Sequence, residues 1–352
     1  MAPGSRLRGL LVGAVVLTGL FVLVVAATIA LITSQRRPDA GPTGAPATGG
    51  PRASATPRAT GTPRTPEGIE VLRERRSGGR RMDLTLRSAA LDDVTTVRLL
   101  LPEGWSAGSG RTWPTLWLLH GGLDDHRGWS RSDVERLTAD APVIVVMPDG
   151  GRCGSYSDWY NGGDGGPPRW ATHHLEELLP LLESRYGAGG DRAIAGYSMG
   201  GQGAMLYAAT GRFTAAASFS GAVHTLLPGV DLAVMLGTAA GCFGTDWKRI
   251  WGDPQGDREV WEEHDPYHRA ADLRGVRLYV SAGDGRPRPG ELFGDVTEEL
   301  ARKAATAFTD RLGELGIPVE THFYRGRHNM TYWNRELRRA LPLLLSSVGA
   351  GD

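Results

Sequence analysis

Cysteine is nearly absent. The 352 residues hold only Cys153 and Cys242, too few for a disulfide-built scaffold or a cysteine-ligated zinc centre. Net charge is absent too, since 39 basic side chains balance 39 acidic ones. No global field therefore draws the chain to nucleic acid. No internal repeat interrupts the sequence, which argues against a solenoid. A 41% hydrophobic content excludes a wholly disordered protein. Within this balance lies an asymmetry. Residues 1–68 carry seven arginines against Asp39 and Glu67, a net of +5, and the remainder carries the compensating −5.

Charge is also missing from Leu10 to Ile32. As a helix those residues would extend about 34 Å, enough to cross a bilayer core. Arg6 and Arg8 precede the run, and Arg36 and Arg37 follow it. The run is longer than a signal-peptide core, and no clean Ala-x-Ala site closes it. The sequence thus predicts a short basic start (1–9), a transmembrane signal-anchor helix (10–33) and a disordered linker rich in Pro, Thr, Ala and Gly (34–68). A folded domain (69–352) would then lie outside the cytoplasm, with the chain a single-pass protein of the cell membrane.

Beyond residue 69, apolar runs end repeatedly in glycine-rich turns. Leu116–Leu119 is followed by His120-Gly121-Gly122, Val143–Met147 by Pro148-Asp149-Gly150-Gly151, and Val276–Ser281 by Gly283-Asp284-Gly285. Further strands are expected at Met82–Leu86, Val94–Leu101, Ala193–Ala195, Ala215–Phe219 and Val319–Tyr324. Helices are expected at His173–Arg185, Gly200–Ala209, Glu298–Leu315 and Trp333–Leu345. Short buried strands alternating with helices indicate one α/β domain with a mostly parallel central sheet and helices on both faces. Ligands of such sheets bind at the carboxyl ends of the strands.

One of those ends is Gly196-Tyr197-Ser198-Met199-Gly200-Gly201. This is a G-x-S-x-G elbow between an expected strand and a small-residue helix, the context in which such a serine acts as a nucleophile in the α/β-hydrolase fold. The base of that fold follows the last strand, and His328 does so. His322 lies within the strand and should pack there. The pairs His173/His174 and His264/His268 lack metal-binding spacing with a third ligand and are expected as satisfied surface histidines. The acid should follow the penultimate strand, where Asp284 and Glu291 are candidates, with Asp295 more distant. A carboxylate in Gly-Asp-Gly also suits a structural turn. Oxyanion donors are expected from the backbone of Met199 and Gly122. Both cysteines should lie on the catalytic face as free thiols. Neither a cofactor nor a metal is implied.

At these residues the chain resembles the esterase family that includes esterase D and the mycobacterial antigen 85 mycolyltransferases. The resemblance rests on the elbow, on Met147–Gly151 followed by Tyr156-Ser157-Asp158-Trp159-Tyr160, on Trp251-Gly252 and Asp265-Pro266, and on Gly326-x-His328 followed by Tyr332-Trp333. It implies that Glu291, in Pro289-Gly290-Glu291-Leu292, is the acid in preference to Asp284. It also implies substrate contacts at Trp159, Tyr160 and Trp333. The implied activity is a serine esterase or acyltransferase working through an acyl-enzyme on a small-molecule, lipid or sugar ester. Mycolyltransferase-like transfer to a sugar or cell-envelope alcohol is the alternative, and a non-catalytic binding module the remaining one. Met330, Tyr197 and Gly200 depart from the mycolyltransferase pattern, so trehalose and mycolate specificity are not carried over. Nothing in the sequence indicates an oligomeric state.

Overall fold

The computed structural model describes residues 67–351 except 243, 244 and 288, and at 240 it describes the backbone but not the side chain. The expected membrane helix, and the linker up to residue 66, lie outside the described residues. Among the described residues no helix is long and apolar enough to cross a membrane.

Among the described residues, nine strands form a single sheet: β1 (Ile69–Arg76), β2 (Arg81–Ser88), β3 (Asp93–Leu100), β4 (Trp113–Leu119), β5 (Ile144–Pro148), β6 (Ala188–Tyr197), β7 (Ala215–Phe219), β8 (Arg277–Gly283) and β9 (Val319–Tyr324). Their spatial order is β1-β2-β3-β5-β4-β6-β7-β8-β9. The first three strands and β5 pair antiparallel. From β5 through β9 every pair is parallel. Five principal helices accompany the sheet: α1 (Leu179–Tyr186), α2 (Met199–Ala208), α3 (Val230–Gly241), α4 (Val296–Glu314) and α5 (Met330–Ser346).

The two-residue period of the strands sorts the core into two layers. On β4, Trp117 and Leu119 join one cluster, with Ala204 and Ala208 of α2 and Phe308 and Leu312 of α4. Leu116 and Leu118 point the other way and pack with Leu337, Leu341 and Leu344 of α5. Burial on both faces explains why the central strands carry unbroken apolar runs. β7 is small-residue rich because α2 and α5 press on it from opposite sides.

Two elements fall outside the sequence-based expectation. β1 is Ile-Glu-Val-Leu-Arg-Glu-Arg-Arg, mostly exposed, and is held by backbone pairing to β2 rather than by side-chain burial. Helix α3 has no polar face to mark a helical period. The helix expected at His173–Arg185 begins with π-helical turns over His173–Leu178, and these bury both His173 and His174. Those two histidines are therefore interior groups, not the surface residues expected. His174 Nε2–H donates to the Asp149 carbonyl (2.8 Å), so its Nδ1 accepts from the Tyr207 hydroxyl (2.8 Å). Burial, reinforced by His173, holds the His174 pKa well below the usual range.

Candidate active site

Ser198 sits between β6 and α2 at φ 54° and ψ −124°, a conformation that L-residues rarely adopt. The flanking glycines make this turn sterically possible. A Cβ on Gly196 would lie 2.1 Å from the Gly200 carbonyl oxygen, and one on Gly200 would lie 2.3 Å from the Leu119 carbonyl oxygen. The elbow is further held by Ser198 N–H donating to the Phe219 carbonyl (2.9 Å).

His328 follows β9 in the loop before α5. Its Nε2 lies 2.9 Å from Ser198 Oγ, and its Nδ1 lies 2.7 Å from Glu298 Oε2. The carboxylate on the histidine is thus Glu298, and neither Glu291 nor Asp284. Glu291 is exposed and paired with Arg327. Asp284 accepts from Arg286 N–H (3.2 Å) and Gly326 N–H (3.3 Å), a structural turn role. The reason for the difference is where the helix begins. The segment after β8 loops outward through Glu291 and returns at α4, whose first turn carries Glu298 into the interior with 0% exposure. The sequence does mark the helix start here, since Asp295-x-x-Glu298 before an apolar run is a capping-box pattern, but that pattern does not single out Glu298 as the acid. Asp295 Oδ1 accepts Glu298 N–H (3.2 Å), while its Oδ2 accepts the backbone N–H of His328 (2.8 Å).

The other oxygen of Glu298 is also committed. Oε1 accepts from Ser220 Oγ–H (2.8 Å) and from Gly283 N–H. Ser220 Oγ in turn accepts Trp333 Nε1–H (3.2 Å). Trp333 stacks on Tyr197 with centroids 4.4 Å apart and meets His328 edge-on at 4.9 Å. The Tyr197 hydroxyl donates to Asp124 Oδ2 (2.6 Å). Burial, and then this carboxylate, push its pKa far above the ordinary value. At Asp124 burial works upward, but hydrogen bonds from Arg131 and Tyr197 outweigh it and hold the group below the usual carboxylate range.

Ser198 opens into a cavity of about 330 Å³. Gly122 and Met199 line it beside the serine. Met199 is the first helical residue, where N–H groups have no intrahelical acceptor, and Leu123 N–H is already taken by the Arg152 carbonyl (2.7 Å). The deeper lining is apolar, from Leu123, Val230, Ala233, Val234, Leu300 and Ala301. Trp159, Tyr160 and Trp333 are not among the lining residues. Trp159 packs in a separate cluster with Ile250, Trp251 and Trp261, Tyr160 hydrogen-bonds Asp257, and Trp333 lies against the flank of His328.

The cysteines correct another expectation. Cys153, on the cavity rim, and Cys242, at the end of α3, form a disulfide with Cα atoms 6.4 Å apart, and no free thiol remains. Sequence places both on one face but carries no distance between them. His268 gathers with His224 and Asp265 rather than with His264, their potential ligand atoms lying within 4.8 Å of one another. Both histidines bond Asp265 through Nδ1 (2.8 and 2.9 Å), and Asp265 also takes the N–H groups of Thr225 and Tyr267. Its own hydrogen bonds close the cluster.

A strained serine hydrogen-bonded to a histidine, itself bonded to a buried carboxylate, beside helix-start N–H donors, is equipped for nucleophilic acyl chemistry. Comparison with known proteins agrees. Residues 88–344 match the model of the family described as Putative esterase. The chain belongs to that family. An esterase of Mycobacterium tuberculosis is 33% identical to this family member over 269 residues, covering 74% of this chain and 58% of the relative. This chain therefore spans less than two thirds of that relative's length. The diacylglycerol acyltransferase/mycolyltransferase Ag85B of Mycolicibacterium smegmatis is 30% identical over 246 residues, covering 64% of this chain and 74% of the relative. Among solved structures, an S-formylglutathione hydrolase from Agrobacterium tumefaciens superposes with a TM-score of 0.62 at 18% identity, covering 79% of this chain and 99% of its own. Mycobacterium tuberculosis MPT51 superposes at 0.59 with 24% identity, covering 74% and 96%. These likenesses show an α/β fold with a mostly parallel central sheet, consistent with the α/β-hydrolase fold, for this member of the esterase family.

Proposed function

We propose that this protein is a serine esterase or acyltransferase working through an acyl-enzyme on Ser198. The observation that carries the reading is the continuous chain Ser198–His328–Glu298, with both hydrogen bonds under 3 Å. Glu298 accepts Nδ1–H, which leaves Nε2 free to take the serine proton as Oγ attacks the ester carbonyl. The oxyanion forms against the N–H groups of Met199 and Gly122. His328 then returns the proton to the departing alcohol. The acyl group lies along the apolar lining; at the lower end of ligand-pocket volumes, the cavity suits an acyl chain of modest length. Water completes hydrolysis, and an alcohol in its place completes transfer. The esterase relative supports the first outcome and the Ag85B relative the second. No step calls for a cofactor. The non-catalytic alternative gives no reason for a serine held in strain against a paired histidine.

We also infer that the domain works outside the cytoplasm, tethered by residues 10–33. The uncharged run Leu10–Ile32 supports the tether, and the Cys153–Cys242 disulfide suits an oxidising compartment.

Ser198→Ala tests the central reading. Turnover of p-nitrophenyl acetate should vanish and labelling by a phosphonate ester should be lost, while the melting temperature stays near that of the parent. A variant that hydrolyses the ester at the parental rate removes Ser198 from the chemistry. Partitioning of the acyl-enzyme between water and added sugar alcohols then separates hydrolysis from transfer.

A further inference from the structure

Helix α3 is an unusual wall for a binding cavity. It carries one charged residue, Asp231, yet among its described side chains only Val230, Leu232 and Thr238 are buried. Ala233, Val234, Gly237 and Thr238 face the cavity beside Ser198. Surface helices draw their stability from packing an apolar face; here Val230, Val234 and Met235 pack on neighbouring clusters, while Ala233 and Gly237 face the cavity. Contacts at its ends therefore add to that packing in setting its position.

At the carboxyl end three segments converge. Gly241 is packed so closely on Leu123 that a Cβ there would lie 2.5 Å from Leu123 Cδ2. Leu123, at φ 66°, has its N–H bound to the Arg152 carbonyl. The next residue, Cys153, is bonded to Cys242, which ends α3. The disulfide thus closes a ring through the turn after β4, the loop after β5 and the end of α3. Leu123, Arg152 and Cys153 of that ring line the cavity beside Gly122.

We propose that the Cys153–Cys242 bridge is a specificity-determining clamp: it holds α3 against the Leu123 turn and so limits the length of acyl chain admitted beside Ser198. This rests on the acyl-enzyme reading above. The cysteines are positioning residues, since they act through α3 and touch no reacting atom. With the clamp removed, α3 can move outward from its carboxyl end and the pocket lengthens.

The test compares the parent with a C153S/C242S double variant, and with the parent after selective reduction by a phosphine and alkylation. Circular dichroism checks the fold, and kcat/KM is measured for p-nitrophenyl acetate and p-nitrophenyl decanoate. The parent's acetate turnover reports on the acyl-enzyme reading by itself; a parent inactive on both esters overturns that reading and the clamp with it. The clamp predicts that the decanoate-to-acetate ratio rises about tenfold once the bridge is gone, the scale on which pocket fit discriminates chain length, while acetate turnover is retained. A global staple would lower both esters together. An unchanged ratio in a folded, bridge-free protein overturns the clamp, and so does loss of the fold in both bridge-free forms.

Discussion

Replacing Glu298 with glutamine changes one atom of a buried group, and the surrounding donors dictate the result. Gly283 N–H can only donate, and it points at Oε1 together with Ser220 Oγ–H. The amide oxygen of the introduced glutamine must therefore occupy that position, because an NH₂ there would face a donor. The NH₂ is then forced toward His328 Nδ1. It will donate to that nitrogen, which moves the ring proton to Nε2, the atom 2.9 Å from Ser198 Oγ. A protonated Nε2 cannot accept the serine proton. Loss of the imidazolium's counter-charge adds to the wrong tautomer, and together such effects cost about 10⁴ in kcat, or about 5 kcal/mol of barrier. Shape is nearly conserved, so the melting temperature should change little. Steady-state hydrolysis of p-nitrophenyl acetate, run beside Glu291→Gln and Asp284→Asn, is the assay. Those two variants should stay within about tenfold of the parent, since neither side chain touches His328. Retention of activity within tenfold by Glu298→Gln, or an equal loss in Glu291→Gln, would refute the reasoning.

Other outcomes follow from the same geometry. Stability should fall with acid well above the carboxylate range. His174 has its pKa depressed by burial, so only the unfolded chain gains its proton as pH drops below about 6.5. The stability is full above that pH and shrinks toward the folded-state pKa, by about 1.4 kcal/mol between pH 7.5 and 5.5 for this one group. Urea unfolding at the two pH values measures it, and a flat profile contradicts the burial argument. Gly200→Ala places a methyl 2.3 Å from a backbone oxygen and should cost about 1–3 kcal/mol or more. Gly122→Ala meets its nearest atom at 3.7 Å and should melt near the parent; equal melting temperatures for the two would show that the elbow is not tightly packed. The full chain should sediment with membranes, and a chain beginning at Gly68 should be soluble and hydrolyse esters. Release of the full chain into the medium with its start beyond Ala30 would replace the anchor with a cleaved signal.

The parts of the site readable in the sequence are those with a local steric signature. Gly196 and Gly200 must be glycine for the turn to exist, so the motif announces Ser198 and the helix after it. His328 is marked by its place after the last strand. The acid carries no such mark. Pro289-Gly290-Glu291-Leu292 matches a relative's pattern, but that loop points its glutamate at Arg327 in solvent. Glu298 looks like an ordinary helix-start residue until the tertiary structure turns it inward. The disulfide depends on a through-space distance, which sequence separation does not encode. β1 and α3 escape notice for opposite reasons: one is too charged to resemble a strand, the other too uniformly apolar to show a helical period. His173 and His174 are expected at the surface because nothing in their spacing marks a ligand or core role, yet both are buried within the π-helical turns.

Asp295 gives the fold a form of quality control. One of its oxygens starts α4 and the other holds the backbone of His328, so the signal that begins a helix also aligns the base. A chain that has not yet formed that helix start has its histidine adrift and its glutamate outside the interior. Molecules in which that helix start has not formed should therefore lack an aligned base, and reactivity toward esters on the proposed mechanism would depend on it.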